Sequence, residues 1–260
     1  MTSTSPADSG RGRPKLRLWA VVFWLAVWQI GSMAIDEQII LVSPVRVLLR
    51  LCELLPTAGF WTAVASTMGR ITLGFVLGVV CGTVLAALCA RFRRIEELLD
   101  PLLLAIRAVP VASFIILALI LFSSRNLAVL ISFLMVLPVV YSNVLGGIRA
   151  ADPQLLEMAR VFALPAGRQI RYLYAAQIFP YFASACTAGL GMSWKSGVAA
   201  EVIGIPNGSI GEKLQQAKVY FDTPDLFAWT LVIVAASLLF ERVCAVLLNA
   251  LQRWTERMAP

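Results

Sequence analysis

From residue 61 to residue 90 the chain runs through a stretch whose sole charged residue is Arg70. A water-soluble fold of this length has no core deep enough to hide such a run, and the pattern recurs at 18–35, 102–122, 127–147, 172–194 and 226–251. Crossing a hydrocarbon core about 30 Å thick takes about 20 helical residues. Every run reaches that length except the first, which is marginal. The apolar character is continuous rather than alternating, which argues for helices and against the strands of a barrel. The sequence therefore predicts an all-α fold, a polytopic membrane bundle of about six transmembrane helices. Composition agrees: 59% of residues are hydrophobic and 14% charged, where soluble domains carry about a quarter charged. A soluble enzyme, a disordered regulator and a secreted disulfide scaffold are all disfavoured.

Basic residues orient the bundle. With the N-terminus inside, the cytoplasm receives Arg11, Arg13, Lys15 and Arg17, then Arg91, Arg93 and Arg94, then Arg149, Arg160, Arg168 and Arg171, and finally Arg253 and Arg257. The other side receives Arg46, Arg50, Arg125, Lys213 and Lys218. This positive-inside bias predicts both termini in the cytoplasm of a multi-pass protein of the cell (inner) membrane. Residues 1–17 read as a disordered basic tail, 18–251 as the transmembrane domain and 252–260 as a second cytoplasmic tail. A cleaved signal peptide is the rival reading of 18–35, but the run is longer than a usual signal core and further spans follow.

Much chemistry is excluded. The chain has no histidine, so it cannot by itself build a Ser-His-Asp triad, a Cys-His pair or a His-ligated metal site. Cys52, Cys81, Cys89, Cys186 and Cys244 lack C-x-x-C spacing and read as buried hydrophobes. The net charge of +7 reflects inner loops rather than a nucleic-acid partner. No G-x-x-x-x-G-K-[ST] occurs, so the chain has no phosphate cradle and is not expected to be an enzyme.

Gly74, Gly78 and Gly82 line one face of the second span, where another helix can approach closely. Pro110, Pro138 and Pro180 would kink or interrupt their spans. The in-span charges singled out are Arg70, Arg107, Lys195 and Glu241. Each serves either an interface or structural pair, or a solute path; Arg107 could snorkel to the inner headgroups. Arg70, Arg107, Lys195 and the nearby Glu201 are the candidate pathway residues.

The loop 149–168 is the most informative. Asp152-Pro153 is a helix start, an N-cap followed by proline at the first helical position. Leu155, Leu156, Ala159 and Phe162 fall near one face, and Pro165 and Gly167 end the helix. A helix this short is not stable alone. It must dock into something or lie flat on the membrane.

This loop resembles the EAA loop of binding-protein-dependent ABC importer permeases of type I fold. Glu157-Met158-Ala159 followed by Arg160 is similar to the form found in the sulfonate/nitrate/taurine branch. Asp100-Pro101, Arg107-Ala108-Val109-Pro110, Trp194-Lys195, Ala199-Ala200-Glu201 and Gly208-Ser209-Ile210-Gly211 resemble further features of that branch, in order, from about residue 40 to about residue 250. Ala163 stands where the motif has glycine, and Ala175-Ala176 where it has Leu-Pro; Pro165 could take over part of the glycine's role. The resemblance implies that Glu157, Met158, Ala159, Arg160, Ala163 and Pro165 couple to an ATPase subunit dimer holding ATP-Mg, with no cofactor in this chain itself. It also implies a second permease subunit, a homodimer in this branch, an extracytoplasmic solute-binding protein, and a small solute such as a sulfonate, nitrate or taurine. An ATP-independent secondary transporter or channel is the alternative function, and a membrane scaffold without transport a third.

Overall fold

The computed structural model describes residues 18–35, 41–162, 165, 167 and 175–258. Among them helix is the sole regular structure. That is the expected answer to a lipid solvent, in which each backbone N–H and C=O must find its partner within the segment.

Helix α1 (Leu18–Ile35) is apolar all round, with Trp19, Trp24, Ile30 and Met33 exposed. It is tied to the bundle at Trp28, whose indole N–H donates to the Val42 carbonyl at 3.0 Å. Helix α2 (Pro44–Leu54) starts with Ser43 as its cap and Pro44 at its first position, the arrangement that best satisfies and pre-orients a helix start. It was not foreseen as an element, because it is too short and too polar on one side to cross a membrane.

Helix α3 (Ala58–Arg91) begins under the Thr57 cap. Its Gly74, Gly78 and Gly82 face α6 (Ser124–Arg149) as the repeat predicts. A Cβ added at Gly78 would lie 2.8 Å from the Val136 Cβ, one at Gly82 would lie 3.0 Å from the Leu137 carbonyl oxygen, and one at Gly74 would run into the Val129 carbonyl. Helix α6 is the axis of the molecule. Val136, Val140, Tyr141, Val144 and Leu145 anchor the main core cluster.

The run 102–122 is where the structure departs most from the sequence reading. It is not one straight span but the end of α4 (Arg93–Ala108) and all of α5 (Val111–Leu121), bent by 107° at the intervening break. Pro110 caps α5 and supplies the break. Pro138 and Pro180, by contrast, sit inside continuous helices. The first half of the pair is amphipathic, burying Leu103 and Ile106 and exposing Leu98, Leu102 and Leu104.

After α7 (Pro153–Val161) comes α8 (Ala175–Gly204), then α9 (Ile210–Val219) and α10 (Thr223–Met258). By length and composition α3, α6 and the 223–253 part of α10 can cross a membrane, with the α4–α5 pair a fourth if taken as one span. Helix α8 is long enough, but Gln177, Ser193, Lys195 and Ser196 make it more polar. It shelters part of that polarity against α6, where the Ser132 hydroxyl donates to the Ser193 carbonyl at 3.0 Å. Helix α10 runs on to Met258, so residues 252–258 extend a helix where the sequence suggested a tail. The tail 1–17 lies outside the described residues.

Candidate functional site

Two of the four candidate pathway charges turn out to be partners. Arg70 on α3 and Glu201 on α8 form an ion pair, Nη1 to Oε1 at 3.1 Å, with the Glu201 side chain wholly buried. The Thr67 hydroxyl, one turn before Arg70, donates to Glu201 Oε2 at 2.6 Å and accepts the Ile210 backbone N–H at 3.0 Å. Arg70 Nη2 reaches the Asn207 carbonyl at 3.4 Å, and the Ser66 hydroxyl donates to the Gly208 carbonyl. The loop itself is pre-shaped. Gly208 has φ of 68°, which suits a residue without Cβ. Ser209 caps α9 through the Glu212 N–H, and the Glu212 carboxylate returns to the Gly208 N–H at 2.6 Å. This pair of bonds, like a capping box but with its return bond one residue before the cap, fixes the start of α9. A Cβ at Gly211 would strike the Glu201 backbone. Arg70 and Glu201 therefore belong to a clamp that holds the α8–α9 loop against α3.

Close by, Arg50 on α2 bonds Asp225 at 2.7 Å and Glu53 at 2.8 Å. The Asp225 hydrogen bond, then that of Glu53, raises the Arg50 pKa above its ordinary value. At this end of the bundle the Arg50–Asp225 ion pair joins α2 to α10.

Arg107 lies on the exposed side of α4. Its Nη2 donates to the Pro138 carbonyl at 2.6 Å. Pro138 lies about 16 Å along α6 from Arg149, given a rise of about 1.5 Å per residue, so the guanidinium sits near the middle of that helix. It lines a cleft of about 460 Å³ with Met135, Val139, Ser142, Asn143 and Met192 among its walls. Lys195 is exposed on α8, a turn beyond the exposed Met192. Glu241 is exposed on α10, as is its neighbour Arg242, a charge the sequence reading passed over.

At the opposite end from the clamp, Arg149 Nη2 meets Glu96 at 2.5 Å, joining α6 to α4. The Asp152 N–H donates to Gln177 Oε1 at 2.8 Å, joining the start of α7 to α8. Asp152 caps α7 by accepting the Gln154 N–H at 2.9 Å, as its sequence predicts. Ala159 is fully buried and Leu155 half-buried, whereas Phe162 is exposed, so Phe162 does not share the buried face expected of it. Glu157, Met158, Val161 and Phe162 project outward, and Pro165 is exposed beyond them. The Arg160 side chain and Ala163 lie outside the described residues. Among the described residues no group of three or more Cys, Asp or Glu converges in a way that could hold a metal ion.

Comparisons with known proteins bear on the family and the fold. Residues 74–258 match the family model described as "Binding-protein-dependent transport system inner membrane component". SsuC of Bacillus subtilis, named as an aliphatic sulfonates transport permease protein, is 28% identical over 232 residues, covering 88% of this chain and 84% of that protein. The bicarbonate transport system permease protein CmpB of Synechococcus elongatus is 24% identical, covering 93% and 89% respectively. The taurine transport system permease protein TauC of Escherichia coli is 23% identical, covering 87% and 84%. A crystal structure of an amino acid ABC transporter with histidines superposes with a TM-score of 0.60 at 20% identity, over 79% of this chain and 97% of that one.

Proposed function

Because the chain belongs to the binding-protein-dependent transport system inner membrane component family and is a membrane permease subunit of an ABC importer, we propose that it carries a small solute with an oxyanion group, of the sulfonate, nitrate or taurine kind. Relatives named for sulfonates, bicarbonate and taurine support that solute class. In this reading two copies form the path, a solute-binding protein delivers cargo from outside, and a separate pair of ATPase subunits hydrolyses ATP. Both termini, and with them α7, face the cytoplasm.

The observation that carries the proposal is the surface of α7. A helix of nine residues with Met158 and Val161 exposed beside Glu157, and Phe162 exposed just past its end, leaves apolar area in water, which favours a partner over bare solvent. Its other side buries Ala159, and its start is tied to α8 by the Asp152–Gln177 bond, so force applied at α7 reaches α8 through that bond and α6 through the short chain that joins them. Closing of the ATPase pair would draw the two α7 helices together and tilt the bundles. Such rigid-body switching requires that the bound nucleotide favour one arrangement over the other.

The test is reconstitution. Co-purification of an ATPase subunit, and taurine or ethanesulfonate uptake into proteoliposomes that needs both ATP and the binding protein, is the expected result. Uptake that proceeds without ATP would establish the secondary-transporter reading instead.

A further inference from the structure

Three clefts join along α6. The mid-depth cleft of about 460 Å³ shares Arg107 and Ser142 with a second of about 490 Å³, which in turn shares Asp100 and Arg149 with a third of about 500 Å³. Together they lead from the Arg149 end of α6 to its middle. The charges along the way are mostly neutralised: Arg149 pairs with Glu96, and Arg93 with Glu97 at 3.3 Å. Arg107 is bonded to a backbone carbonyl and, among the described residues, to no carboxylate. Asp100 faces the same middle cleft from two helical turns nearer the Arg149 end.

A guanidinium at this depth cannot lose its charge and is costly to leave against lipid, so it calls for water or an anion. One of its five N–H groups is spent on Pro138, leaving the rest of a planar fork suited to an oxyanion. Beside it, Asn143 gives one amide N–H to the Val139 carbonyl at 2.8 Å and keeps the second. Met135, Val139 and Met192 make the remaining wall apolar. A mostly apolar cleft with a few convergent polar groups is the usual form of a small-molecule site, and this one fits a charged oxyanion head on a short apolar body.

Resting on the permease reading above, we propose that Arg107, with Asn143, forms an anion-recognition site inside the bundle that selects sulfonate-type oxyanions in the permease itself. Selection then takes place a second time, after delivery by the binding protein. The rival role for Arg107 is a strut that satisfies the Pro138 carbonyl. Arg107→Lys and Arg107→Gln together separate the two, since both side chains are shorter than arginine and weaken the Pro138 bond, but only lysine keeps the charge.

The test reads the charge preference of the cleft with two thiol reagents. Cys52, Cys81, Cys89, Cys186 and Cys244 are replaced by alanine or serine, and Met192→Cys is introduced as the reporter. The permease–ATPase complex is labelled in detergent with anionic 2-sulfonatoethyl methanethiosulfonate or with its cationic trimethylammonium counterpart. Rates are normalised to those of a free thiol. The expected result is a preference for the anionic reagent of at least about tenfold, the lower end of electrostatic focusing in a charged cleft, with labelling slowed by millimolar methanesulfonate. Arg107→Lys keeps both effects and Arg107→Gln loses both. A preference that survives in Arg107→Gln, or labelling indifferent to methanesulfonate, overturns the proposal. ATP-driven uptake by the unsubstituted complex is scored separately, so failure of the site and failure of the importer reading give different results. Equal melting temperatures of the Arg107 and Arg107→Gln complexes confirm that the loss is not one of folding.

Discussion

Glu201 illustrates how a single residue changes meaning between sequence and structure. Read along the chain, it is an acid near the end of a span and a candidate for a solute path. In three dimensions it is wholly buried and holds Arg70, Thr67 and, through Thr67, the first N–H of α9. Removing one member of a buried ion pair leaves the other charge uncompensated and typically costs about 3–5 kcal/mol. Glu201→Ala is therefore expected to lower the melting temperature of the detergent-solubilised protein strongly, while Lys195→Ala, at an exposed position, leaves it nearly unchanged. Arg70→Met combined with Glu201→Leu should recover most of the loss, because replacing a buried pair by apolar groups of similar volume is often neutral or better. Equal melting temperatures for Glu201→Ala and the parent would refute the clamp. No local signal could have revealed this pair, since its members stand 131 positions apart and each has other oppositely charged residues nearer in sequence.

Among the elements, α3 was the most legible. Its length, its continuous apolar character and the four-residue glycine repeat together predicted a span with a close-packing face, and α6 fills that face. Helices in lipid gain little from mere contact and depend on close van der Waals fit, so these glycines should tolerate no added bulk. Gly78→Val is expected to destabilise by about 1–3 kcal/mol, the usual cost of overpacking. Gly69→Ala, on the same helix with nothing within 4 Å of the added carbon, should be neutral or stabilise by up to about 1 kcal/mol. Thermal unfolding of the two variants side by side checks this; similar shifts in both would mean that the α3–α6 contact is not tight. The prolines were less legible. Pro110 and Pro138 carry the same local defect, yet only at Pro110 does the chain turn by 107°. Pro138 is buried among its neighbours, and α6 runs on through it.

For the molecule as a whole, transport requires that an event at α7 reach the path. Among the described residues the connections are the buried Ala159, Asp152 bonded to Gln177, and Arg149 paired with Glu96. Glu157→Lys reverses a charge on the exposed side of α7 without touching those connections. It is expected to leave membrane insertion and melting temperature intact while abolishing ATP-driven uptake and ATPase co-purification. Phe162→Asp should do the same by placing a carboxylate where an apolar partner surface belongs. Full uptake by both variants would remove α7 from the coupling role. Labelling of Gln154→Cys from the cytoplasmic face of inside-out vesicles, and not from outside, checks the orientation on which that role depends.

The sequence by itself determined that this chain is a membrane-embedded helical bundle, where most of its long helices run, and that a short helix starts at Pro153. These follow from solvent and backbone alone: in lipid an apolar run must satisfy its own hydrogen bonds, whatever its neighbours are. Only the tertiary structure decided which charges neutralise each other and that Arg107 faces a cleft. That choice depends on distances across the bundle, on how deeply each group is withdrawn from water and on which carbonyls lie within reach. It is why Arg70 became part of a clamp, while Arg107, a candidate for a solute path, bonds a carbonyl near the middle of α6.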